Sequence, residues 1–225
     1  MNRITKSFTW AYVLVFLLTV KFVEARTYST GGFVGYNDGP GFQIYGAISN
    51  LAQGFPLKIR FGLGHSTMDP GSPEDARQIF INDATNGTPE EKGWIWDLQL
   101  DFLYRVNWFS WQRTYILLGP RLAYFTGNFK FVGGNEDFDV RSKQWGWGIG
   151  FEKYYKVSEK MDLVLTTGVD YFSKNILNGH DTSYSPNGEI VNGRNDYTFK
   201  DADKAINQPE LVPKFMLGMT YHFTK

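Results

Sequence analysis

Gly93-Trp94-Ile95-Trp96-Asp97-Leu98-Gln99-Leu100-Asp101-Phe102-Leu103-Tyr104-Arg105-Val106 divides into two sets at alternate positions. Trp94, Trp96, Leu98, Leu100, Phe102, Tyr104 and Val106 make one set; Ile95, Asp97, Gln99, Asp101, Leu103 and Arg105 make the other. Period two is the period of a strand, whose successive side chains point to opposite faces. After Asn107–Gln112 the alternation resumes, with Ile116, Leu118, Pro120, Leu122 and Tyr124 against Tyr115, Leu117, Gly119, Arg121 and Ala123. Two long strands joined by a short turn predict an antiparallel hairpin. Its apolar face is aliphatic with aromatics toward the ends, and its other face carries carboxylates, an amide and arginines. A soluble sandwich could present the same hairpin, so the choice of fold rests on the rest of the chain.

The pattern recurs on both sides. Tyr28–Tyr36 reads as a weak, glycine-rich strand, followed by a tight turn at Asn37–Gly41. Phe42–Ser49, Leu57–Gly64, Gln144–Glu152, Asp162–Tyr171 and Leu211–Phe223 alternate in the same way. About eight strands result, of a length that suits a tilted transmembrane strand. Thr67–Lys92 and Lys174–Gln208 read as long polar loops, and Asn128–Ser142 as a glycine-rich loop. Long or glycine-rich connections follow odd strands and tight ones follow even strands. A membrane barrel sorts its loops in this way, with short periplasmic turns and longer outer loops. A sandwich has no reason to sort loop lengths by parity. Pro120 removes one ladder donor, so a bulge or a missing hydrogen bond is expected there.

The first 25 residues are of another kind. Arg3 and Lys6 precede the apolar run Phe8–Val20, and Val23-Glu24-Ala25 offers a cleavage site. This is the layout of a secretory signal peptide, leaving 26–225 as one barrel domain. Composition is compatible with any compartment and excludes some classes of function. Lys+Arg 23 and Asp+Glu 23 cancel, so no basic excess points to nucleic acid. With Cys 0 there is no disulfide framework and no thiol chemistry.

The faces fix inside and outside. The apolar sets contain no charged residue, as lipid demands, since Arg or Lys at mid-depth costs about 2–4 kcal/mol. The opposite faces hold Lys58, Arg60, Arg105, Arg121 and Lys214 with Asp97, Asp101, Glu152, Asp162 and Asp170. Cations and anions are equal in number, as expected of a narrow lumen filled by paired charges. Such a lumen is not a wide pore. Gly146, Gly148 and Gly150 leave space for the long side chains opposite. Trp94, Trp96, Trp108, Trp111, Trp145 and Trp147 lie near proposed strand ends and suit the membrane–water interface.

The chain thus resembles the small eight-stranded outer-membrane barrels, the group of OmpX and the OmpA membrane domain. The sharpest local match is the C-terminus, where Gly218, Tyr221 and Phe223 resemble that group's assembly signal, although Met216 and Thr224-Lys225 depart from it. The resemblance implies recognition by the barrel-assembly machinery and contact with outer-membrane lipid and lipopolysaccharide. It also implies a structural or adhesive role, with any extracellular ligand at the outer loops.

Chemistry is sparse. His65-Ser66, with Glu152 as orienter, is the one pairing that suggests a lipid-modifying enzyme of the lipid A deacylase or acyltransferase kind. Adjacent strand residues point to opposite faces, so the two should not meet. The acidic runs Glu136–Asp139 and Asp69–Asp75 suit a divalent cation held between protein and lipopolysaccharide and suit ordinary solvated loop charge equally well. No metal-ligand spacing and no phosphate-cradling loop is present, so neither cofactor nor enzymatic activity is expected. The third reading, a soluble lipid-binding barrel, requires the apolar faces to point inward.

Overall fold

The computed structural model describes residues 26–51, 54–83, 86–107, 112–194 and 196–223. The signal-peptide reading of 1–25 and the positions Trp108 and Trp111 lie outside the described residues. Eight long strands form the wall: β1 (Thr27–Asn37), β2 (Pro40–Ser49), β3 (Leu57–Met68), β4 (Thr88–Val106), β5 (Thr114–Val132), β6 (Asp137–Lys156), β7 (Met161–Phe172) and β8 (Leu211–Phe223). Each pairs antiparallel with its sequence neighbours, and β8 also pairs with β1. The eight strands therefore close as an up-and-down barrel. No helix among the described residues is long and apolar enough to cross a membrane.

Three loop expectations need correction. Asn128–Ser142 is mostly strand: β5 runs to Val132 and β6 starts at Asp137, leaving a tight turn at 133–136. Phe129, Phe131, Phe138 and Val140 all turn inward and are buried, and that burial carries the ladder outward past the glycines. Thr67–Lys92 contains helix α1 (Pro73–Phe80), and β4 begins at Thr88. Ser72 caps α1 by accepting from the Asp75 amide, Pro73 opens it, and Glu74 and Asp75 fill its first turn. Lys174–Gln208 contains short paired strand pieces and helix α2 (Phe199–Ala205).

The wall is consequently uneven. β4, β5 and β6 have 19, 19 and 20 residues, against 11, 10 and 12 for β1, β2 and β3. About ten suffice to span a bilayer. One side of the barrel therefore stands well above the membrane.

At Pro120 the β4–β5 register does not shift. Gln99 pairs with Arg121 and Phe102 with Leu118, but the two pairs between them are missing from the ladder. The expected irregularity is a gap rather than a bulge. The strands are close there: a Cβ on Gly119 would lie 1.8 Å from the Leu100 carbonyl oxygen.

Candidate functional sites in the lumen and outer cap

Inward positions at mid-barrel hold a continuous chain of buried charges. Arg60 donates through Nε and Nη2 to Asp101 Oδ2, at 2.9 and 2.7 Å. Its Nη1 reaches Glu152 Oε1, whose other oxygen accepts the Tyr154 hydroxyl at 2.8 Å. Arg121 bridges Asp101 Oδ1 at 2.7 Å and Asp170 Oδ1 at 2.9 Å, and Lys214 donates to Asp170 Oδ2 at 2.6 Å. The chain links β6, β3, β4, β5, β7 and β8 across the lumen. Gly148 makes it fit, because a Cβ there would lie 2.1 Å from Asp170 Oδ1 and 2.3 Å from Arg121 Nη2. Removing one member would strand a buried charge, the costly case.

Four of the ten charges sit differently from expectation. Arg105 is exposed at the periplasmic end, beyond the chain, because β4 ends one residue later. Lys58 is buried, yet it has no ion pair among the described residues; its ammonium lies 4.0 Å from the centre of the Tyr154 ring and 4.9 Å from that of Tyr115. Asp97 is buried; among the described residues the Gln99 amide is its one donor, and its Oδ1 has no hydrogen-bond partner. Asp162 pairs away from the centre, with Arg113 and, at 2.7 Å, with His222. Arg113 lies in the β4–β5 turn, where alternation says nothing about direction. His222 shares the inward face of β8 with Thr220, which itself meets Tyr45.

Above the charges the lumen changes character. Ile95, Ala123, Phe125, Phe129, Phe131, Phe138, Val140, Phe172 and Val212 point inward and pack into one buried cluster. Ala76, Ile79 and Phe80 of α1 and Ala202, Ala205 and Ile206 at α2 join it from above. The outer connections thus form a cap seated on an apolar plug. Nothing in the loop composition announced it: helices of eight and seven residues are too short to show a helical period. The alternating Phe129, Phe131, Phe138 and Val140 were the signal that could have done so.

Polar ties hold the cap together. The Tyr184 hydroxyl donates to the Ile79 carbonyl at 3.0 Å, and Arg194 clasps Asp83 with two bonds of 2.6 Å. Arg77, buried against the Phe131 ring, pairs with Glu136 at 2.9 Å and donates to the Asn86 carbonyl at 2.8 Å. Ser72 and Asn207 amides tie the two loops together through the Ala205 and Pro70 carbonyls. On the low flank a cavity of about 520 Å³ is lined by Tyr36, Asp38, Asp69, Lys174, Asp203 and Glu210. Burial pushes the Asp38 carboxyl up, while hydrogen bonds from Arg194 hold Asp83 below the usual carboxylate range.

Outward faces are apolar and exposed: Val34 at 66%, Trp145 at 61%, Phe61 at 59% and Ile149 at 58%. A soluble barrel could not leave such a belt in water. Trp94 and Trp96 fall inside β4 rather than near its end, because that strand continues outward. Trp96 still lies level with the end of β3, packed on His65 at 4.5 Å between ring centres. Trp147 stands opposite Pro120 and Tyr171 on the same outer face as Trp145. His65 faces outward against Phe42 and Trp96, while Ser66 is fully buried inside, so the pair does not converge. Glu152 is held by Arg60, away from both. Among the described residues no group of His, Asp and Glu is gathered as for a metal ion. In β8, Gly218 passes so close to β1 that a Cβ would lie 2.1 Å from the Gly32 carbonyl oxygen, and the Tyr221 and Phe223 rings meet edge to face at 5.2 Å.

No family model matches this sequence, and no curated protein matches it. Among solved structures, a major outer membrane protein from Thermus thermophilus superposes with a TM-score of 0.71 at 26% identity, over 89% of this chain and 100% of that one. Neisserial surface protein A gives 0.37 at 10% identity, over 88% and 95%. Ail, the attachment invasion locus protein of Yersinia pestis, solved with the heparin analogue sucrose octasulfate, gives 0.42 at 12% identity, over 89% and 100%. The last two superpose too loosely to carry an argument; the comparison rests on the first.

Proposed function

We propose a role for what is an eight-stranded β-barrel of the bacterial outer membrane: a surface-recognition scaffold whose working part is the outer cap. The observation that carries this reading is the tying of α1, α2 and the β5–β6 tip into one unit seated on the apolar plug. Loops held on a rigid scaffold are where binding concentrates. A cap whose side chains are already ordered loses little freedom on binding.

The sign of a partner follows from the cap's charge. Thr67–Lys92 carries Asp69, Glu74, Asp75, Asp83, Glu90 and Glu91 against Arg77 and Lys92. Lys174–Gln208 also has more carboxylates than cations. An acidic surface favours a basic partner, or an anionic one bridged by divalent cations. The lumen, filled by paired charges below and by the apolar plug above, supports a closed barrel and not a porin-width channel. The outward His65 and inward Ser66 offer no support for lipid-modifying chemistry. Residues 1–25 serve as a cleaved signal peptide in this reading, and Gly218, Tyr221 and Phe223 serve recognition by the barrel-assembly machinery. Outer-membrane lipid and lipopolysaccharide surround the apolar belt.

The test is capture of the barrel, in lipid nanodiscs, on surfaces coated with polylysine or with heparin. Capture on the basic surface, lost when 69–87 and 174–208 are replaced by short glycine-serine turns, is the expected result. Equal capture of the capless barrel would end the reading.

A further inference from the structure

We propose that the periplasmic mouth of the barrel holds a binding site for a phosphate-type oxyanion, formed by Lys58 and Arg105. A cavity of about 210 Å³ opens there, lined by Ser49, Asn50, Pro56, Lys58, Arg105 and Tyr115. No carboxylate among the described residues lines it. A cleft carrying charge of one sign concentrates the opposite ion.

Lys58 is the decisive residue. It is 5% exposed, and among the described residues no carboxylate oxygen lies within 4 Å of its ammonium. The carboxylates nearby are already taken. Glu152 gives one oxygen to Arg60 and the other to the Tyr154 hydroxyl. Asp162 receives Arg113 and His222. A buried charge is ordinarily paired, and this one has only two tyrosine faces, from Tyr154 and Tyr115. Cation–π contact offsets part of the lost hydration; it supplies no hydrogen-bond acceptor. Lys58 has three N–H donors, and the residue lines this cavity.

Arg105 stands two positions beyond Leu103, which is the β4 partner of Lys58, and faces the same mouth. It is exposed; its backbone pairs with Tyr115 and donates to the Pro56 carbonyl at 3.0 Å, and among the described residues its guanidinium has no hydrogen bond or ion pair. An ammonium held by aromatic walls and an unpaired guanidinium fork lining the same cavity fit a compact oxyanion, which accepts several charge-assisted hydrogen bonds at once. The rim also carries the exposed Phe55. The oxyanion can therefore come from free phosphate in the periplasm or from the headgroup of a phospholipid at the rim.

The experiment is a titration of the refolded barrel in maltoside micelles, which contain no phosphate, followed by the NMR signal of labelled lysine Cε and by calorimetry. Inorganic phosphate is one arm and a short-chain phosphatidylglycerol is the other. Saturable binding in either arm, with the Lys58 signal shifting, is the expected result. Tighter saturation by phosphate assigns the free ion, and tighter saturation by the phospholipid assigns the headgroup. Lys58→Met, which keeps the apolar stem, should abolish saturation, and Arg105→Gln should weaken it several-fold, both with the gel-mobility shift of a folded barrel retained. If Lys58→Met does not fold, the exposed Arg105→Gln decides. No saturation in either arm, or unchanged affinity in Arg105→Gln, overturns the site.

Discussion

Arg60 and Asp101 stand opposite one another across the β3–β4 ladder, and two guanidinium donors close on one carboxylate oxygen. The second oxygen of Asp101 is thereby free for Arg121, so one carboxylate joins two halves of the lumen chain. Asp101→Asn should leave two buried guanidinium groups short of a counter-charge and cost about 3–5 kcal/mol. Urea unfolding from lipid vesicles measures it. Arg105→Gln, at an exposed position, should stay within about 0.5 kcal/mol of the parent.

The lipid-facing belt makes a second demand. Ile149→Lys places an ammonium on the exposed face of β6 opposite Leu118 and should cost about 2–4 kcal/mol if that position lies near the bilayer midplane. Folding yield into vesicles of increasing chain length should fall most steeply for this variant. A penalty near zero would mean that the belt is not in hydrocarbon.

In the cap, Phe80 packs edge to face on Tyr184 at 5.4 Å and is 2% exposed. Phe80→Ala should cost about 3–5 kcal/mol of local packing, spent on the cap alone because the wall has its own ladders. Limited trypsin digestion should then cut at Arg194 in a barrel that still resists detergent. Intact Arg194 would mean that the outer loops hold together without this contact.

Acid should loosen the same region. The Thr198 side chain and backbone hold the Asp201 carboxyl below its usual range, and hydrogen bonds from Arg194 do the same for Asp83. A depressed folded pKa contributes stability that is fully present above the unfolded value, about 3.9 for Asp, and is lost as pH falls through the folded one. Hydrogen exchange in α1 and α2 should therefore be flat from neutral pH to about 5, after allowance for intrinsic rates, and protection should drop below about 4. Protection unchanged at pH 3 would show that these ties do not hold the cap.

Alternation made the wall legible, because inward and outward sides are written into every second residue of Trp94–Val106. It could not say which charge meets which. The Arg60–Glu152 contact joins strands that are not neighbours, and their facing depends on closure and tilt rather than on any local spacing. The cap was hidden for a different reason. Short helices among Asp, Asn and Gly show no period, and the glycines around Gly133 suggested a loop where inward phenylalanines sustain two strands. Arg113 was invisible as a partner of Asp162 because a turn residue with φ of 60° has no assigned face.

The unequal strands give the molecule a front and a back. Behind the cap, β4, β5 and β6 rise as a parapet; before it, the tight turn at Asn37–Pro40 keeps the parapet low. The flank with Tyr36, Asp38 and Asp203 opens on that lower side. The outer end of the barrel is therefore asymmetric about its own axis, with strand wall on one side and the open flank on the other.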